Sequence, residues 1–350
     1  MRTDPHPHSN PTSPPAVAAG LIAILCLALL AGCTPVRWPY APGNTTYELG
    51  NNFGEYQRYG GASYYHDGLD ILGGVTRPLY AVKGGTVTHV TDDGGGLYTG
   101  IMIGRPQAGG VGWLYWHIDQ GTLAVSEGDV VDTGDYLGDI VFWPNSNFHH
   151  VHFSRVNGTG GYPWTWYDAT GNPLDWLKPD TDNSAPVILN AGAGGDRFLF
   201  VDNDSSNYQD PDDLSGQVDV IAKVRDRYNN GTTWDLAPSA LSLEIRRQGN
   251  NALVLEKSAH FFHGALGTDA TFMPTVYQDD ATADSNGDYN NRDFYFIVTN
   301  SDNSVGYSAA DRPNSWDTTA VSNGKYRVQV KAWDTDGNTD TETMVVTVKN

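Results

Sequence analysis

Imidazole side chains carry the chemistry that this sequence offers. Ten histidines occur in 350 residues, and His66, His89, His117, His149, His150 and His152 all fall between positions 66 and 152. The densest stretch is FHHVHFSR, residues 148–155. Its β-branched and aromatic neighbours predict a strand, in which side chains alternate between two faces. His150 and His152 then share one face, while His149, Val151 and Phe153 take the other, with His149 a bystander. Two imidazoles side by side suit metal binding or proton transfer, although a polar sheet face can also display them to no purpose.

In YYHDGLDILGG, His66 and Asp70 stand four apart around Gly68, in a segment with no helix signal. In extended backbone an even separation puts two side chains on one face, and imidazole plus carboxylate is a normal partial zinc set. GWLYWHIDQG predicts another strand, with His117 on the face opposite to Leu114 and Trp116. The residue types that are missing narrow the chemistry further. Between positions 56 and 155 the only glutamate is Glu127, in a turn, and neither His-Glu-x-x-His nor Gly-x-Ser-x-Gly occurs. A proton-handling group in this region is therefore expected to be a histidine, whose ordinary pKa suits neutral pH.

Four elements then stand in a fixed order. FGEYQRYGGASYYHDGLDILGGVTRPLYAVKGGTVTHV contains His-x-Gly-x-Asp followed by an A-V-x-x-G-x-V strand. LYWHID has the form Tyr-x-His-Leu with Ile118 at the last position, VSEGDVVDTGDYLGDI pairs two glycine turns, and HHVHFS closes with His-x-His-Phe. From about Phe53 to Leu177 the chain thus resembles the catalytic domain of the lysostaphin/LytM zinc metallopeptidases, which cleave peptide cross-links in bacterial cell walls. The resemblance implies one zinc ion held by His66, Asp70 and His152. His117 and His150 would activate water and stabilise the oxyanion, with the general base left open between them. It also implies peptidoglycan peptides as substrate. GDIVFWPNSNF replaces the family's Gly-x-Thr-Gly-x-Ser run near the groove, and His149 stands where relatives have proline, so the preferred peptide is open. Some LytM-like domains have lost zinc ligands and activate separate wall amidases; that non-catalytic role, or an envelope-binding lipoprotein, is the rival reading. The five intact positions favour the enzyme.

Residues 16–31, AVAAGLIAILCLALLA, are too short for a comfortable membrane span and suit a signal-peptide core. The ending Leu30-Ala31-Gly32-Cys33 resembles the bacterial lipobox, which implies cleavage before Cys33 and membrane attachment through its lipid. Thr34 after it implies sorting to the outer membrane, facing the periplasm. Cys26 leaves with the signal, so no internal disulfide is expected. The expected layout is a signal peptide over 1–32, a lipidated Cys33 with a Pro-rich tether over 33–46, a LytM-like domain over 47–178, and a linker with an immunoglobulin-like domain over 179–350.

The expected fold class is all-β, a small antiparallel metallopeptidase sheet followed by an immunoglobulin-like β-sandwich. QVDVIAKVRD, ALSLEIRRQ, NALVLEKS, DFYFIVTN, KYRVQVKAWD and ETMVVTVKN read as half-buried strands of the second block, with a hairpin turn at Gly-Asn-Asn. Residues 185–350 are expected to act as a spacer or as a site for a wall or envelope protein partner. The net charge of −20 argues against a nucleic-acid partner. Of Trp113, Trp116, Trp143, Trp164 and Trp166, most are expected in the core or groove wall, with Trp143 the exception that stacks on ligand. DTDGNTD (334–340) and DDATADSNGD (279–288) are oxygen-dense, and calcium in the C-terminal domain is one reading beside Asx-rich turns. His260 and His263 lack an evident third ligand.

Overall fold

The computed structural model describes residues 34–58, 63–91, 96–105, 111–145, 147–157, 171–192, 194–229, 234–260, 273–278, 280, 292–303 and 307–350. The apolar N-terminal run, Cys33, Trp164, Trp166, His263 and most of 279–288 lie outside them, as does the side chain of His260.

Seven strands make the first sheet: β1 (Leu49–Asn51), β2 (Leu69–Leu72), β3 (Gly85–Thr91), β4 (Thr99–Arg105), β5 (Val111–Ile118), β6 (Val130–Val131) and β7 (His150–Asn157). Their order across the sheet is β1-β2-β7-β5-β4-β3-β6, antiparallel throughout. The centre is apolar on both faces. In β5, Trp113 and Tyr115 enter the main core with Phe153, whereas Leu114 and Trp116 pack with Met102 and Val156 in a smaller cluster. Such double coverage is why VGWLYWHI reads as a continuous apolar run rather than an alternating one. β7 alternates, with Val151 and Phe153 in the main core and the neighbouring histidines on the other side.

The second block has two antiparallel sheets. In one, β10 (Gln217–Arg225) is central. One of its edges carries β8 (Val187–Leu189) and β9 (Phe198–Asp202), and the other carries β13 (Phe294–Ile297) and the short strand Trp316–Asp317. The other sheet orders β11 (Ala240–Arg247), β12 (Leu253–His260), β14 (Gly324–Trp333) and β15 (Thr339–Val348) as β12-β11-β14-β15. β14 buries every second residue from Tyr326 to Ala332, the pattern of a strand with one face on the core. The β11–β12 hairpin turns at the expected place, where Asn251 adopts a φ of 58°. The chain is thus all-β in class.

The tether expectation does not hold for residues 35–46. Trp38 and Tyr40 are fully buried, Val36 bridges to Leu177, and Trp38 Nε1 donates to the Pro179 carbonyl at 2.7 Å. The Tyr40 hydroxyl donates to the Ile71 carbonyl at 2.8 Å and accepts the Val151 N–H at 3.1 Å. Proline content suggests a spacer, but two large aromatics remove more apolar area from water than a free spacer would leave exposed. Residues Pro35–Asn350 form one compact unit.

Asp182, Asp226 and Asp334 each bring a carboxylate oxygen to within 4.8 Å of the others. Asp334 accepts the Asn338 N–H at 2.9 Å and its side-chain amide at 2.7 Å, so the 334–340 run closes as an Asx-type turn. Burial, and then Asp334, push the Asp226 carboxyl well above its ordinary value; burial also raises Asp182 and Asp334. A carboxyl whose folded pKa is raised stabilises the fold in acid and loses that contribution as pH rises through the folded value. Asp226→Asn is therefore expected to raise Tm at about pH 7 and to lose that gain near about pH 4. Thermal melts of both proteins across that range provide the check.

Candidate active site

β2, β7 and the turn before β2 bring three electron-pair donors to one point. His66 Nε2 lies 2.9 Å from His152 Nδ1 and 3.1 Å from Asp70 Oδ1. His152 Nδ1 lies 3.1 Å from the same carboxylate oxygen. The pairing places His152 directly across from Asp70, which is why their side chains share a face. All three residues are buried. Gly68 makes the approach possible, since a Cβ there would meet Ser154 Oγ at 2.5 Å and His152 Nε2 at 2.8 Å.

The surrounding partners decide which ring nitrogens carry protons. His66 Nδ1 lies 2.9 Å from the Asn52 carbonyl, which can only accept, so Nδ1 is the N–H and Nε2 keeps its lone pair. His152 Nε2 faces Asp67 Oδ1 at 3.3 Å, so its Nδ1 keeps the lone pair. Two imidazole lone pairs and a carboxylate oxygen thus point at one another in a buried place, which is unfavourable without a proton or cation between them. Burial works against charge on His152, yet Asp67 and Asp70 outweigh it and raise its pKa to about 10. Burial pushes the Asp70 carboxyl up, but His66, His150 and His152 hold it well below the usual range. Nitrogen–nitrogen–oxygen donor sets of this size suit zinc, whose tetrahedral ligands sit about 3.3 Å apart at bond lengths of about 2.0–2.1 Å.

His117 and His150 stand beside the triad. His150 Nδ1 donates to the Phe148 carbonyl at 2.7 Å and His117 Nδ1 to the Leu97 carbonyl at 2.8 Å, leaving both Nε2 atoms as acceptors. Their ring centroids are 4.7 Å apart. Burial, reinforced by His150, pushes the His117 pKa well below its ordinary value, and burial also lowers His150. Both are therefore neutral and able to take a proton at neutral pH.

Strand alternation misplaces His117. Thr99 pairs with Ile118 and the next residue, Gly100, pairs with Trp116, so His117 is an extra residue in β5, at a φ of 70°. This bulge turns His117 out of the core-facing series of Trp113 and Tyr115, onto the side that carries Trp116 and His152. Nothing in LYWHID announces an inserted residue.

His149 is also no bystander. It does face away from the cavity, but it is buried and its Nδ1 accepts the Trp143 backbone N–H at 3.0 Å. Phe142 packs on its ring, with centroids 5.0 Å apart. The Trp143 ring in turn lies 4.5 Å from His117 and 4.8 Å from His150, so this aromatic roofs both proton-handling groups. Trp113 and Trp116 are buried in the sheet, as expected. His89 sits apart, 3.5 Å from Glu127.

The cavity encloses about 600 Å³ and is walled by Tyr64, Tyr65, Tyr98 and Trp143, with the histidines and Asp70 at its base. Sequence reasoning missed Asn51, whose side-chain amide donates to Asp70 Oδ2, and the Asp67 and Ser154 partners of His152. Asp67 adjoins His66, and Ser154 follows His152 by two on the same strand face, so parity had the information for Ser154. Asn51 stands directly across from Asp70 on the neighbouring strand β1, a pairing that left no signal in the sequence.

Residues 64–162 match the model of peptidase family M23. Endolysin 2638A of Staphylococcus phage 2638A is 32% identical over 112 residues, which are 30% of this chain and 21% of the endolysin. The chain therefore spans about a fifth of that relative's length. The catalytic domain of lysostaphin from Staphylococcus simulans is 22% identical, covering 39% of this chain and 96% of that one at a TM-score of 0.32. A zinc-containing peptidase from Vibrio cholerae is 17% identical, covering 37% of this chain and 40% of that one at a TM-score of 0.27. The segment around the site is thus similar to the M23 peptidases, and the resemblance of the sequence motifs to the lysostaphin/LytM type agrees with that match.

Two outcomes follow from the geometry. Gly68→Ala forces the His152 strand away from Asp70 and is expected to remove metal binding while costing about 1–3 kcal/mol of stability; metal analysis beside urea unfolding measures both. His149→Leu removes the acceptor that holds Trp143 and is expected to lower turnover while metal content stays at the wild-type level. Equal turnover in that variant would show that the Trp143 loop holds without His149.

Proposed function

We propose that this chain is a zinc-dependent endopeptidase that hydrolyses peptide bonds in the cross-links or stems of peptidoglycan. The observation that carries it is the convergence of three lone-pair donors beside two neutral imidazoles at the base of an open cavity. The M23 match and the endolysin relative support the cell-wall peptide as substrate. His66, Asp70 and His152 would hold one zinc ion, which when bound supplies Lewis acidity to water and to the scissile carbonyl.

The remaining steps belong to this chain's own side chains. One of His117 and His150 takes a proton from the attacking water at its free Nε2, and can return it to the leaving amine. The other, once protonated at Nε2, donates from that nitrogen and stabilises charge on the tetrahedral oxygen. Their Nδ1–H bonds to backbone carbonyls hold each ring in the tautomer this requires. Trp143, with Tyr98, limits water at the reacting bond and narrows the groove beside both rings. The lipobox-like end of the apolar run supports a lipid anchor at Cys33 and a place at the outer membrane, facing the periplasm. The amidase-activator role fits a site lacking ligands; here all five side chains line one cavity.

His117→Ala and His150→Ala are each expected to keep about one zinc per chain and to lose about 10²–10⁴-fold in muropeptide release from purified sacculi. The products are separated by chromatography and the metal measured by elemental analysis. Release that survives unchanged in both variants, or a wild type that holds no zinc and cuts nothing, would overturn the assignment.

A further inference from the structure

The second β-block is docked on the backbone segment that orients the metal-site residues. Residues 50–55 run between the two. On one side, the Asn52 carbonyl accepts His66 Nδ1–H, and the Asn51 side chain bonds Asp70. The His66 carbonyl accepts the Gly54 N–H, and the Glu55 carbonyl accepts the His66 N–H at 2.8 Å, so this short segment encloses His66 from both directions.

On the other side, Asn172 Nδ2 donates to Asn52 Oδ1 at 3.3 Å, and the remaining anchors from outside the segment come from the second block. Arg292 donates to the Gly50 carbonyl and, at 2.9 Å, to the Asp235 carbonyl, and its Nη2 lies 3.3 Å from Glu55 Oε1. Both ionic side chains are almost fully buried, at 5% and 1% exposed. Glu55 Oε2 accepts the Asn52 N–H at 3.0 Å and the Ala237 N–H at 3.3 Å. Asn52 Nδ2 donates to the Ala237 carbonyl at 3.0 Å, and the Tyr277 hydroxyl donates to the Gly54 carbonyl at 2.9 Å. Tyr277 also packs edge-on against Tyr56, with centroids 5.6 Å apart. A buried guanidinium with a planar fork fixes several acceptors at once, and a ligand's hydrogen-bond partner sets its ring orientation.

We propose that the second β-block completes the metal centre, with Arg292 as the positioning residue that holds Gly50–Glu55 and through them His66 and Asp70. The proposal rests on the zinc-site reading above. It gives residues 185–350 a part inside the catalytic unit, where a spacer would touch nothing. Arg292 acts through Glu55 and the Asn52 carbonyl and does not meet the substrate. The peptidase block alone would keep the ligands and lack the frame that aims them.

The test uses the full chain and reads zinc affinity by competition with a chelator, at a temperature where near-ultraviolet circular dichroism shows each protein folded. Arg292→Lys keeps the charge and loses the fork; Arg292→Met loses both. Val328→Ala, in the buried core of β14, serves as a variant that lowers Tm without touching residues 50–55. Both Arg292 variants are expected to bind zinc about 10–100-fold more weakly, and Val328→Ala to bind as wild type. Should neither Arg292 variant fold, Tyr277→Phe removes one hydroxyl donor and is expected to weaken zinc a few-fold. Folded variants that bind zinc as tightly as wild type overturn the proposal. A wild type that binds zinc and leaves sacculi intact overturns the endopeptidase reading instead and leaves the brace standing.

Discussion

Three buried lone pairs aimed at one point are the constraint on which this molecule is organised. His66 Nε2, His152 Nδ1 and Asp70 Oδ1 stand 2.9–3.1 Å apart with no hydrogen assigned between them by their other partners. Such a set repels itself, so it persists only where the backbone holds each donor and a proton or cation joins them. The same centre shapes its neighbours' proton affinities in opposite directions. Asp67 and Asp70 raise the His152 pKa to about 10, so that a proton can occupy its Nδ1 lone pair until a cation takes that place, while burial lowers the pKa values of His117 and His150.

Fixed backbone does most of the holding. The carbonyls of Asn52, Leu97 and Phe148 each accept an imidazole N–H, and each thereby selects a tautomer. Gly68 lets β7 close on the turn before β2, and the β5 bulge carries His117 across to the triad's side of the sheet. A carbonyl is a cheap and rigid acceptor inside a sheet, with no side-chain entropy to lose. The loop at Phe142–Trp143 is pinned through the backbone as well, by the Trp143 N–H donated to His149.

The junction between the blocks extends this frame. An Arg292–Glu55 pair buried at 5% and 1% exposure is costly to desolvate, and Arg292 Nη1 and Glu55 Oε2 bond the backbone at Gly50 and Asn52. The N-terminal segment adds to it from another side, since Tyr40 ties together Ile71 and Val151, which adjoin Asp70 and His152 in their strands. Segments that look like a tether and a spacer by composition are both built into the support of the site.

Residue type and strand parity sufficed for much of this. Asp70, His150 and His152 meet because His150 and His152 share a strand face and β7 pairs directly with β2, while His66 joins them from the turn before β2; the strands of the second block fall where alternating apolar residues put them. Parity failed at His117, where a single inserted residue shifts the register, and that insertion is a property of the pairing with Thr99 and Gly100. Pro-rich composition misled at 35–46, because burial of Trp38 and Tyr40 depends on a surface made by other strands. The sequence by itself determined which donors are present and which side of each regular strand they occupy. Only the tertiary structure decided their tautomers, the role of His149, and the grip of Arg292 on residues 50–55. Those depend on backbone carbonyls and amides brought together from distant positions, and every residue carries the same backbone groups whatever its letter.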